Sequence, residues 1–123
     1  MNLHPAILEH VAHAHGDLLA APPQLNQDAL TIGLRNGVTL TVRYAASDAY
    51  SLRWRTGMTD DAAELCIDTA PTHPHLTTAP NHLHCADGAV VADPVTRIDA
   101  SPEANVSALL VALASDPLLG ASA

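Results

Sequence analysis

Apolar residues along the chain change period several times, and each change marks an element. Leu3, Ile7, Leu8, Val11, His15, Leu18 and Leu19 recur at helical spacing. Glu9, His13 and Asp17 line the opposite side, with His10 beside them. This predicts a helix over 3–19. Pro5 suits its first turn, and Gly16 either ends it early or weakens it. His10 and His13 read as a metal pair or as the solvated side of an amphipathic helix, and the second is far commoner. The segment 21–27, with Pro22 and Pro23, reads as a loop.

From residue 29 the period drops to two. Leu30, Ile32 and Leu34 alternate with polar residues over 29–35, and Val38, Leu40, Val42 and Tyr44 do so over 38–44. Asn36-Gly37 between them signals a hairpin. A strict two-residue turn would put the two apolar sets on opposite faces, so parity demands a three-residue connection with Gly37 left-handed. A third strand over 49–56 turns Tyr50, Leu52 and Trp54 inward, and a turn at 46–48 pairs Val42 with Leu52. After a turn at 57–61, a fourth strand over 63–69 turns Leu65 and Ile67 inward. Beyond a turn at 86–88 lies a short strand at 89–92, stopped by Asp93-Pro94. Ser101 as cap, Pro102 at the first position and Glu103 near the positive end start a second helix. Its stripe is Val106, Leu109, Leu110 and Leu113; Pro117 and Gly120 end it, and the tail to Ala123 is expected to be loose. The predicted fold is α+β: an antiparallel meander of four to six strands with the N-terminal and C-terminal helices packed on one face.

Composition sharpens this. The 123 residues are 48% hydrophobic, which argues for a packed core, and the length suits one domain over 1–123. The formal charge is −8, with five arginines and no lysine, which argues against a generic polyanion binder. Four of the arginines nevertheless lie between residues 35 and 55. The register puts Arg43, Arg53 and Arg55 on the outer face with Thr39, Thr41 and Ser51, as a candidate RNA-phosphate surface. Arg55 is expected opposite Glu64, and Asp68 near Arg53; exposed ion pairing is the competing explanation. Cys66 and Cys85 are expected to be free thiols. No apolar run is long enough to span a membrane and no signal peptide is evident, so the expected location is cytoplasmic.

The candidate chemistry lies between Asp68 and Cys85. Four of the eight histidines are here, as two proline-introduced His-x-His pairs: His73 with His75, and His82 with His84. Residues two apart on an extended chain point the same way. Three readings compete. In the first, His82, His84 and His73 cleave RNA without a metal, one imidazole taking the 2′-hydroxyl proton and another protonating the leaving oxygen, with Asp68 orienting a ring. In the second, the histidines and Asp68 hold a divalent metal, with Cys66 on the same strand face. In the third, the prolines and histidines only lock a loop over a sheet end, a role that suits His75 best.

The stretch also resembles the signature of the TumE-like toxins of toxin–antitoxin operons. Asp68, Ala70, Pro71, His73, Pro74, Thr78, Pro80, His82 and His84 match it. The chain departs at Thr69, Thr72 and Asn81, where the family more often has Asn, His and His. The resemblance implies the toxin of a type II pair, acting on RNA; with the first reading of the histidines this gives a metal-independent endoribonuclease with no cofactor, a divalent metal being the alternative. It also implies an antitoxin partner with a helix-turn-helix domain. An unpaired sheet edge would let the toxin dimerise. The alternatives are a degenerate member that only binds its partner, or a histidine-rich metal-binding protein.

Overall fold

The computed structural model describes residues 3–120, so the loose tail expected to Ala123 lies partly outside the described residues. Helix α1 spans His4–Ala14, with proline in its first turn, and buries Ile7 and Val11. It is shorter than the apolar spacing predicts. His15 leaves the helical conformation and Gly16–Leu18 continue as one 3-10 turn. Leu19 is still buried, so the spacing reported burial rather than unbroken helix.

Seven strands follow: β1 Gln24–Leu25, β2 Leu30–Gly33, β3 Thr39–Ala46, β4 Ala49–Arg55, β5 Glu64–Asp68, β6 His82–His84 and β7 Val90–Ala92. They form one antiparallel sheet in which spatial order repeats chain order. The predicted registers hold: Ile32 faces Leu40, and Val42 faces Leu52. The β2–β3 turn has the three-residue form that parity demands, with the Leu34 and Gly37 N–H groups bonded to Val38 O and Leu34 O and Gly37 at φ +94°. Two strands escape the alternation pattern. β1 lies in the expected loop at 21–27, because two residues carry no period, and its pairing comes from a hairpin closed by Asn26 N donating to Ala29 O at 2.9 Å. β6 lies inside the histidine stretch.

Helix α2 spans Pro102–Ser115, and Ser101 accepts from Ala104 N at 3.1 Å as its cap. Its buried Val106, Leu109, Leu110 and Leu113 join the core built from Leu30, Ile32, Leu40, Val42, Leu52, Trp54, Leu65, Ile67 and Leu83. Both helices therefore cover one face of the sheet. Trp54 Nε1 donates to Pro117 O at 2.8 Å, which ties the segment after α2 to the sheet.

Leu83 decides which way the histidines point. It is buried opposite Ile67, so its neighbours His82 and His84 must project from the other face. A one-residue slip of β6 would expose Leu83, at a cost of about 2 kcal/mol for that side chain alone, and push both imidazoles into the aliphatic core.

Candidate functional site

On the face away from the helices, β5 and β6 place Asp68 directly opposite His82, and Cys66 opposite His84. The three polar groups converge. Asp68 Oδ1 lies 3.1 Å from His82 Nε2, and Asp68 Oδ2 lies 3.1 Å from His84 Nε2. The two Nε2 atoms are 3.0 Å apart. His82 Nδ1 lies 3.0 Å from the Pro80 carbonyl oxygen. A carbonyl only accepts, so Nδ1 carries a hydrogen and Nε2 is the free nitrogen of the neutral ring. Asp68 is steadied from behind by Ala70 N, which donates to Oδ1 at 3.0 Å. The Cys66 thiol points at Asp68 Oδ2 from 3.8 Å. Burial pushes that thiol's pKa up, so it stays protonated and is a poor ligand.

The rings differ in access. The His82 side chain is 1% exposed and that of His84 41%. His73 closes over them, its ring centroid 4.7 Å from that of His82 and 6.2 Å from that of His84. Desolvation, and then the neighbouring His82, His75 and His84, lower the His73 pKa and favour its neutral form. His75 is exposed, 6.0 Å from His73. The two His-x-His pairs are thus not alike. Residues 82–84 are a strand and present both rings on one side, whereas 73–75 lie in consecutive turns, where the two-residue rule does not apply.

Of the arginines, Arg53 lines a cavity of about 230 Å³ with Glu64, Leu65, Cys66, Asp68 and His84. It donates to Glu64 Oε1 at 2.8 Å, and Arg55 reaches Glu64 Oε2 at 3.3 Å. These bonds hold the Glu64 carboxyl below its ordinary pKa. Arg43 is exposed on β3 opposite Ser51, one strand further from the histidines. His10 joins no metal cluster among the described residues; its Nε2 lies 2.9 Å from Ser107 Oγ, and His15 Nε2 lies 2.8 Å from the same oxygen.

Beside the site lies a second polar cluster that the sequence pattern does not announce. Asn81 is 3% exposed, and its Nδ2 donates to Asp93 Oδ2 at 2.8 Å and to Thr96 O at 2.9 Å. Asp93 Oδ1 accepts from Val95 N and Thr96 N, and Oδ2 also accepts from the Thr96 hydroxyl. Tyr50 OH lies 2.7 Å from that hydroxyl. Thr78 Oγ1 donates to Asn81 O and accepts from Asp93 N. This network clamps the stretch just before β6 to the turn after β7. Asp93-Pro94 was the one available signal, because Asp commonly bonds the backbone two residues on. Thr69, a further departure from the motif, extends the β4–β5 pairing through Tyr50, with its own N–H to Tyr50 O at 3.1 Å. Thr72 is exposed in a turn, and nothing in the structure explains its identity.

A family model described as Toxin TumE matches residues 6–113. No curated protein and no solved structure matches the chain.

Proposed function

The chain belongs to the TumE toxin family, and on that premise we propose that it is the toxin of a type II pair and poisons growth by cleaving RNA at the Asp68–His82–His84 centre. One observation carries the reading: two accessible imidazoles, His73 and His84, stand 6.2 Å apart between ring centroids, with the buried His82 and Asp68 behind them. A phosphodiester fits between rings so spaced. His73, whose neutral form is favoured, takes the proton of the 2′-hydroxyl. The 2′-oxygen then attacks phosphorus and displaces the 5′-oxygen, and protonated His84, held by Asp68, supplies the proton that oxygen needs. The products are a 2′,3′-cyclic phosphate and a free 5′-hydroxyl. Arg53, on the same cavity, stabilises charge on the pentacoordinate phosphorane. Arg43 and Arg55 extend the cationic face along the RNA backbone.

The family implies an antitoxin partner; here it is proposed to carry a helix-turn-helix domain. Asn81 does not favour a degenerate member, since its amide has structural work in the Asp93 network. The test is expression of the chain alone in a growing host, beside His84→Ala and His73→Ala variants, with RNA from each culture examined for new cyclic-phosphate ends. Growth arrest and new ends from the parent, both lost in the folded variants, support the reading. Harmlessness of a folded parent that still binds its antitoxin defeats it.

A further inference from the structure

The three-atom contact at Asp68, His82 and His84 is not a satisfied hydrogen-bond network. Carboxylate oxygens accept, and His82 Nε2 is committed to accepting by the Pro80 carbonyl at its other nitrogen. With both rings neutral, the three contacts of 3.0, 3.1 and 3.1 Å therefore share at most one hydrogen, on His84 Nε2. A proton bridges one such contact along a straight line. A cation bridges all three at once.

We infer that Asp68, His82 Nε2 and His84 Nε2 form a binding site for one divalent transition-metal ion. Among the described residues this is the one group of three metal-ligating side chains whose ligand atoms cluster, all within 4.8 Å of one another. The angles fit a particular geometry. An ion ~2.1 Å from both nitrogens would see them about 90° apart, given their 3.0 Å separation. That is the angle between adjacent corners of an octahedron, and narrower than a tetrahedral zinc site asks for. Two histidines and one carboxylate on one octahedral face leave the remaining positions open, and here they open on the cavity that Arg53 lines. The supporting contacts are those a metal-bound histidine has: the His82 N–H on a backbone carbonyl, and Asp68 held by Ala70 N. The net charge of −8 favours cation capture.

The site shares its residues with the proposed reaction but not its substrate. Its bearing on that reaction rests on the reading above: an ion on these nitrogens competes with the proton that acid–base cleavage moves. Bound metal therefore inhibits.

The experiment titrates untagged, chelator-stripped full-length protein with cobalt(II) chloride. Binding is followed by calorimetry and by visible absorption, which distinguishes weakly absorbing six-coordinate from strongly absorbing four-coordinate cobalt. One ion per chain with weak absorption is expected. Affinity should fall by about 100-fold or more in His84→Gln and in Asp68→Asn, and stay level in His75→Ala. His84→Gln sits at the accessible edge and Asp68→Asn keeps its shape, so folding is retained and is checked by circular dichroism. Absence of stoichiometric binding, or binding that these two variants leave unchanged, overturns the inference. RNA cleavage is scored separately. Metal binding without cleavage defeats only the ribonuclease reading, and cleavage without metal binding defeats only this one. Cleavage that needs the metal supports the site and overturns the inhibition.

Discussion

Two carboxylates flank β6, and they have opposite surroundings. Asp93 is 5% exposed, and both of its oxygens are met by donors from Val95, Thr96 and Asn81. Asp68 is partly open and faces two imidazole nitrogens, one of them without a hydrogen of its own to give. The first arrangement is complete in itself. The second needs a proton or a cation from outside. Fully satisfied buried polar groups fix a structure, whereas a cluster with unmet lone pairs is where exchange with solvent or substrate takes place.

Substitutions test that contrast, the largest effects first. Asp93→Ala strips partners from four donors and should cost about 3 kcal/mol or more, read as a lower urea midpoint, with toxicity falling because the chain unfolds. An equally stable variant would mean that the network is ornamental. Asn81→His inserts a larger ring at a buried position and loses two bonds, so about 2 kcal/mol should go without any gain in toxicity. A more toxic Asn81→His would reverse the assignment of Asn81 as structural. Across the strand the pattern should invert. His84→Ala should change stability by under ~1 kcal/mol, as its side chain is 41% exposed, and abolish growth arrest and RNA cleavage. In a cleavage assay the acid limb of the rate profile should fall below pH 6.5, since the His73 pKa is lowered from that value and its neutral form does the work. A limb well above pH 6.5 would remove His73 as the base.

The smallest effect concerns His4, on α1. Tyr44 N donates to His4 Nε2 at 3.1 Å, and burial lowers the His4 pKa from 6.5. The unfolded chain thus binds a proton more readily than the folded one. Stability is full above about pH 6.5 and declines as pH falls from there toward the folded value. Urea midpoints measured down this range should fall less in His4→Ala than in the parent.

The sequence told the two regions apart unevenly. Alternation located β2 to β5, and parity at Asn36-Gly37 set a register that the structure keeps, because a slip would turn Leu30 and Ile32 out of the core. The charge pairing of Arg55 with Glu64 followed from that register. Motif residues gave Asp68, His82 and His84 as a group. Period could not show that His82–His84 form a strand, since three residues flanked by asparagine and cysteine carry too little pattern. It could not show the Asp93 network either, whose members at positions 50, 78, 81, 93 and 96 are brought together only by the folded sheet. Asn81 looked like a missing histidine because the identity of a residue says nothing about its depth.

The order of the sheet has a consequence for how the chain comes together. Each strand pairs with the one just synthesised, so hairpins form as the chain leaves the ribosome. Their apolar side, met first by α1, is not fully covered until the closing helix lies down on it and the Trp54 indole is latched to Pro117. Asp68 and the histidines are thus in place along the chain well before the platform beneath them is sealed. The footing of the centre thus depends on a helix that comes after every one of its residues in the chain.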